Sequence, residues 1–231
     1  MADTPNELWN AFLAKKGRTL QPDVDVALGQ SHEWQRGSFG LAPDFSELLQ
    51  TTTVTPVRMS GVDYELLTWG EGDALRGWFT AMPQDVGDAL VHPMQRELLA
   101  VFGGILEVFG TNPQPADGGW WLNQRAILSS EAYSLGKQFP EYVRASDWAW
   151  EDAGLEFDFD PEPFVGIAAE ANSNLTMLHT GTGQVVAFLP DHSYGGVTPL
   201  EGCPEYTLYT HDEAQDFASW LDWLGRTWPT A

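Results

Sequence analysis

The sequence is short of cysteine, of basic residues and of long apolar runs. Cys203 is the single cysteine of 231 residues, so no internal disulfide can form and no thiolate-rich zinc site can be assembled. Such cysteine usage fits a reducing compartment, and a cytoplasmic location is expected. No segment approaches the ~18–20 consecutive apolar residues that a membrane-spanning helix needs. The opening Met1-Ala2-Asp3-Thr4-Pro5-Asn6-Glu7 has neither the basic nor the apolar stretch of an export signal, which predicts a soluble, unexported chain.

The shortage of basic residues carries the most information. Eleven Lys and Arg stand against 33 Asp and Glu, a formal net charge of −22. A field of that sign repels phosphate backbones and anionic lipid, which excludes nucleic acid and membrane surfaces as expected partners. Between Arg144 and Arg226 there is no Lys or Arg at all, yet the interval holds fifteen acids: Asp147, Glu151, Asp152, Glu156, Asp158, Asp160, Glu162, Glu170, Asp191, Glu201, Glu205, Asp212, Glu213, Asp216 and Asp222. Neighbours in sequence cannot neutralise them. Two readings are open: a solvated face that keeps the protein soluble, and a face shaped for a basic partner.

Periodicity indicates an α+β fold. Glu7 to Gly17 has apolar residues at helical spacing and a basic pair before a glycine, a helix with its C-terminal signal. Thr51–Met59, Tyr64–Trp69 and Trp78–Met82 are β-branched and aromatic runs separated by turn residues, which predicts an antiparallel meander. A helix is expected from Met94 to Phe102, stopped by Gly103-Gly104, and helices from Ser129 to Tyr133 and from Glu141 to Ala153. Thr111 to Gly119 reads as a surface loop leading to Trp120-Trp121. Phe164 to Ala169 suits a short buried strand or a helical turn. Leu175–His179 and Gln184–Leu189 flank Thr180-Gly181-Thr182-Gly183 as a hairpin, and Tyr206–Tyr209 adds a strand. Thr210 and Glu213 have capping-box spacing and predict a helix from about Asp212 to Trp228, with Phe217, Trp220, Leu221, Leu224 and Trp228 on one face. The expected architecture is a mixed or antiparallel sheet with helices on one face, divided into residues 1–89, a helix and β-meander of unassigned role, and residues 90–231.

No motif specifies an enzyme. The glycines of His179-Thr180-Gly181-Thr182-Gly183 lead into a strand, whereas a phosphate cradle leads into a helix. Asp158, Asp160 and Glu162 alternate as at the start of a calcium loop, but the glycine and closing glutamate of an EF-hand are missing, and Phe157 and Phe159 fit a loop that buries aromatics and exposes acids. Asp191, His192 and Ser193 are adjacent and so cannot bond in series as a triad must. His32, His92, His179, His192 and His211 have no zinc spacing. No catalytic residue, metal or other cofactor is expected. Eleven tryptophans beside acids permit sugar stacking, although helical spacing assigns Trp120, Trp121, Trp148, Trp150, Trp220, Trp223 and Trp228 mainly to a core.

The runs Phe164-Val165-Gly166-Ile167-Ala168-Ala169-Glu170-Ala171-Asn172-Ser173-Asn174-Leu175 and Gly183-Gln184-Val185-Val186-Ala187-Phe188-Leu189-Pro190-Asp191-His192 resemble the central hairpin of the SUKH superfamily. Leu98 to Phe102 with the following diglycine is similar to that family's first helix, and Thr210 to Trp228 to its closing helix. Ser173 stands where the family usually has glycine. The resemblance covers about residues 90–231 and implies a non-enzymatic α+β domain that binds other proteins. Many bacterial members are immunity proteins that neutralise toxins; fungal members regulate cell-wall glucan synthesis. A basic toxin domain is the partner so implied, and it suits the charge, because toxic nucleases must hold phosphate. The expected partner surface comprises Trp148, Trp150, Glu151, Asp152, Glu156, Asp158, Asp160 and Glu162 with Asp191, Glu201 and Glu205. The rival readings are a carbohydrate-binding or cell-wall regulatory module and an acid-dependent hydrolase.

Overall fold

β-Branched and aromatic runs form strands wherever two faces can be buried, and here they join into one ladder. The computed structural model describes residues 4–15, 25–85, 91–109, 124–128, 130–170, 174–191 and 194–228. Helix α1 (Pro5–Lys15) precedes two short edge strands, β1 (Val26–Leu28) and β2 (His32–Glu33), and helix α2 (Pro43–Thr51). The predicted meander follows as β3 (Thr53–Met59), β4 (Val62–Trp69) and β5 (Arg76–Ala81), then α3 (Pro93–Leu99) and β6 (Ile105–Phe109). Next come β7 (Gln124–Ile127) and three helices, α4 (Ser130–Gly136), α5 (Phe139–Arg144) and α6 (Trp148–Ala153). β8 (Phe164–Glu170), β9 (Leu175–His179), β10 (Val185–Phe188), β11 (Val197–Pro199), β12 (Leu208–His211) and α7 (Phe217–Thr227) complete the described chain.

The strands pair antiparallel in the order β1-β3-β4-β5-β6-β7-β8-β9-β10-β12-β11, with β2 also on β3. Residues 86–90, at the expected division of the chain, lie outside the described residues. The strands on either side of them, β5 and β6, are hydrogen-bonded neighbours, Trp78 opposite Val108.

Helices cover both faces of this sheet, a correction to the one-face expectation. Alternation along β9 and β10 shows why: Leu178, Val185 and Ala187 join one core, while Met177, Val186 and Phe188 join another. The first face is covered by α2, α3 and α7 through Phe45, Leu98, Trp220 and Leu224, in a single core reaching from Val54 of β3 to Tyr209 of β12. The second face carries α1 over β3, β4 and β5, with Leu8 and Phe12 on Leu66 and Phe79, and α4 to α6 over β8, β9, β10 and β12. Gly136 of α4 meets Gly166 of β8 so closely that a Cβ on Gly136 would lie 2.4 Å from the Gly166 nitrogen, which lets this helix sit directly on the sheet.

Two local expectations are also corrected. The helix expected from Glu141 to Ala153 is two helices, because the Ser146 hydroxyl donates to the Tyr142 carbonyl and the chain tightens before α6. The Thr210–Glu213 capping box does not form. Thr210 is used by β12, its hydroxyl donating to the Thr198 carbonyl across to β11, and α7 starts at Phe217 with a reciprocal cap between Asp216 and Ser219. Its apolar face is as read, with Phe217, Trp220, Leu221, Leu224 and Trp228 all buried. Thr111 to Gly119, Trp120, Trp121 and the turn at Ser173 lie outside the described residues.

The two halves of the sheet meet at β6 and β7, where Ile105 opposite Ile127 is the one registered pair among the described residues. On the first face, α7 braces that seam by clamping α2. Ala42, the N-cap of α2, offers no side-chain acceptor, and Asp222 of α7 supplies one instead, accepting from the Asp44 amide at 2.9 Å. Arg226 pairs with the Asp44 carboxylate at 3.2 Å. Gly225 permits the approach, since a Cβ there would lie 2.2 Å from the Phe45 nitrogen. Asp222→Ala is expected to cost about 1 kcal/mol in urea denaturation by removing that cap, whereas Asp222→Asn keeps an acceptor and should cost less than half as much. Equal losses for both variants would show that the cap contributes nothing.

Candidate functional site

Trp150 organises the acidic region from beneath. It is buried in α6; its indole N–H donates to the Gly202 carbonyl at 2.9 Å and its ring meets Phe157 edge-on at 5.0 Å. The amide of Leu155 donates to the Trp150 carbonyl at 2.9 Å. One side chain thereby fixes α6, residues 155–157 and the loop 200–206 relative to one another. That loop is closed by its own bonds, from the Cys203 amide to the Leu200 carbonyl and from the Thr207 hydroxyl to the Pro204 carbonyl. Cys203 is buried beneath it, and burial pushes its thiol up to about 11, so it is not a nucleophile at neutral pH.

Above this tie, Glu151, Asp152, Glu156, Asp158, Glu201 and Glu205 are exposed, and none of the six is in an ion pair with another described residue. Trp148 (59% exposed), Leu155 (42%), Phe157 (37%) and Tyr206 (48%) stand among them. These are four of the eight large apolar side chains exposed among the described residues, and all four lie on the two segments that Trp150 joins.

The structure divides the expected set. Trp150 is a buried tie and cannot act as a surface anchor; Trp148, whose helical spacing also suits a core, is instead exposed, a correction to that reading, and can act as one. The Asp160 carboxylate accepts from the Glu162 amide at 3.1 Å, and Glu162 is paired with Arg144 of α5 at 2.5 Å, so both acids shape their loop. The interval that lacks basic residues is thus neutralised in part from outside, by Arg144 here and by Arg226, which lies 3.9 Å from Glu213. Asp191 stands apart. It follows β10 and accepts from the Tyr194 hydroxyl at 3.0 Å, and Tyr194 packs against the core on the first face, whereas Trp150 belongs to the second. Leu155 and Tyr206 are additions to the expected set, and Phe157, expected to be buried by its loop, is exposed while Phe159 packs against the core. A lone leucine and a strand-like Tyr206-Thr207-Leu208-Tyr209 run gave no sign of exposure, because exposure here depends on how Trp150 fastens two distant segments.

Other chemistry-bearing residues are engaged locally. The Gly181 and Thr182 amides both donate to His179 Nδ1 at 3.1 Å, so the glycine turn joins β9 to β10 and spends its donors on its own histidine. His192 and Ser193 lie outside the described residues. A groove of about 830 Å³ beside the start of α1 is lined by Ser31, His32, Glu33, Thr53 and Thr68 among others. Within it Ser31 bonds Thr55 at 2.7 Å and His32 Nδ1 donates to the Glu33 carbonyl at 2.8 Å, so they do not meet as nucleophile and base. His211, buried against Trp223, is held below its ordinary value by burial, which outweighs the opposing charges of Glu213 and Asp212. Among the described residues no group of three or more His, Cys, Asp or Glu is placed to hold a metal ion. No helix there is long and apolar enough to cross a membrane.

No protein-family model matches the chain, and no curated protein or solved structure is significantly similar to it.

The Trp150 tie has a chemical reporter. With its pKa near 11, Cys203 is about 0.1% thiolate at pH 8, and in the native protein it should react with a disulfide reagent only slowly. Trp150→Phe removes the bond to Gly202 and should raise that rate at least about tenfold, while costing about 1–3 kcal/mol in global stability. An unchanged rate would mean that the loop is held by its internal bonds alone.

Proposed function

We propose that the protein is a non-enzymatic binding module that captures a basic protein on the surface built by α6, residues 155–158 and the loop 200–206. The observation that carries this reading is the combination found there: six carboxylates without an ion-pair partner among the described residues, interleaved with four exposed apolar side chains on two segments locked by Trp150. Unpaired negative charge speeds encounter with a basic partner, exposed aromatics supply the buried anchors that hold it, and a preordered surface loses little entropy on binding.

The resemblance of residues 90–231 to the SUKH superfamily gives the partner a class: a toxin domain, neutralised by an immunity protein. A nuclease toxin carries basic surface to hold its substrate, and an acidic protein bound there would block it. The carbohydrate reading has less support, since Trp148 is the only exposed tryptophan among the described residues and a single indole offers one stacking face.

The test is binding to a panel of purified nuclease toxin domains of high isoelectric point, followed by biolayer interferometry. At least one should associate rapidly, slow as salt is raised past a Debye length of about 10 Å at 0.1 M, and slow about tenfold or more against Glu156→Lys with Asp158→Lys. These two positions are preferred to Asp160 and Glu162, whose carboxylates hold the loop itself. Binding that ignores both salt and charge reversal, or no binding across the panel, would contradict the proposal.

A further inference from the structure

Three residues other than glycine adopt positive φ among the described residues: Ser60 at 50°, Leu128 at 54° and Tyr206 at 64°. Two have evident reasons. Ser60 and Gly61 form the two-residue hairpin between β3 and β4, where both central residues need positive φ. Leu128 is buried in the core of the first face, and its amide donates to the Ile167 carbonyl at 2.6 Å, so packing and a hydrogen bond hold it there.

Tyr206 has no such compensation from its side chain. Left-handed backbone is unfavourable for a bulky residue. Its amide donates to the Tyr209 hydroxyl at 2.7 Å, but a glycine in the same conformation would make that bond with less strain. The ring is 48% exposed and belongs to no core or aromatic contact among the described residues. Strain that the fold does not repay, at an exposed aromatic side chain, points to a use outside the chain.

We infer that Tyr206 is the anchor of a docking surface for an arginine- or lysine-bearing segment of another protein, with Glu201 and Glu205 on its own loop and Phe157 on the segment tied to that loop by Trp150. This rests on the binding reading above and deepens it by naming the residue and the chemistry that it takes. The occupant follows from charge complementarity. Glu201 and Glu205 have no ion-pair partner among the described residues, and a guanidinium or ammonium group can meet both a carboxylate and an aromatic face. The left-handed turn holds the ring outward before the partner arrives, so little freedom is lost when it docks.

The test separates anchor from scaffold. The full chain is panned against a phage-displayed library of random twelve-residue peptides. Enriched peptides should carry Lys or Arg beside an apolar residue. Tyr206→Gly should lower their capture at least about tenfold, while raising the folding equilibrium constant about threefold in urea denaturation by relieving the turn. Tyr206→Phe, which keeps the ring, should retain capture. A loss of stability in Tyr206→Gly would show that the ring serves the fold and would overturn the inference. So would peptides with no basic bias, peptides insensitive to Tyr206→Gly, or no enrichment at all. Basic peptides captured through Tyr206 by a protein that binds no toxin domain would keep the anchor and remove only the toxin reading.

Discussion

The whole structure depends on keeping the two halves of a long antiparallel sheet joined at the β6–β7 seam. A ladder with one registered pair among the described residues is a weak joint, and the joint is secured from the first face. Trp78 on β5 is the hub, with Phe45 of α2 at 6.0 Å, Phe102 after α3 at 5.9 Å and Trp228 after α7 at 5.7 Å. Aromatic rings in stacked and edge-on contact contribute beyond the area they bury, and these contacts link elements from both halves of the sequence. The α2–α7 clamp then fixes their angle. Nearby, Glu65 is buried on β4 and paired with Arg36, whose guanidinium also donates to the Val101 carbonyl and lies 4.6 Å from the Trp34 ring. A buried carboxylate so paired favours one arrangement of the 34–42 loop over α3.

With the sheet fixed, the second face is free to be covered piecemeal. α4, α5 and α6 are short and could not persist alone; each is held by what it buries. α6 is the extreme case, a helix of six residues whose position rests on Trp150. The proposed binding surface therefore owes its geometry to a core residue, and its chemistry to the side chains that the same helix and its neighbours leave outside.

Elements with a strong local signal were legible in the sequence. The meander β3–β5, the hairpin β9–β10 and the apolar face of α7 all follow from alternation, turn residues and helical spacing. The helix start at Phe217 was not, because Thr210 and Glu213 satisfy the spacing of a capping box while Thr210 is claimed by strand pairing with β11. The coverage of both faces was missed for a related reason: strands buried on both sides read as continuous apolar runs, which do not say how many helical layers there are. Of the candidate surface, the sequence shows the charge, but not that Trp148, whose helical spacing suits a core as well as a surface, is the exposed indole of α6, nor which acids are spent on the fold. Asp160, Glu162 and Asp191 look like Asp158 in the sequence and differ only in the partners that folding brings to them. Tyr206-Thr207-Leu208-Tyr209 has the composition of a strand from its first residue, but β12 begins at Leu208 and the tyrosine sits at the turn before it.

The central claim is that one locked acidic and aromatic surface receives a basic protein. Backbone hydrogen exchange, followed with and without a bound nuclease toxin domain, tests it most directly. The account predicts new protection in residues 148–158 and 200–206, with the groove beside α1 and the edge strands β1 and β2 unchanged. Protection confined to α1, β1 and β2, with residues 148–158 and 200–206 exchanging as in the free protein, would contradict it.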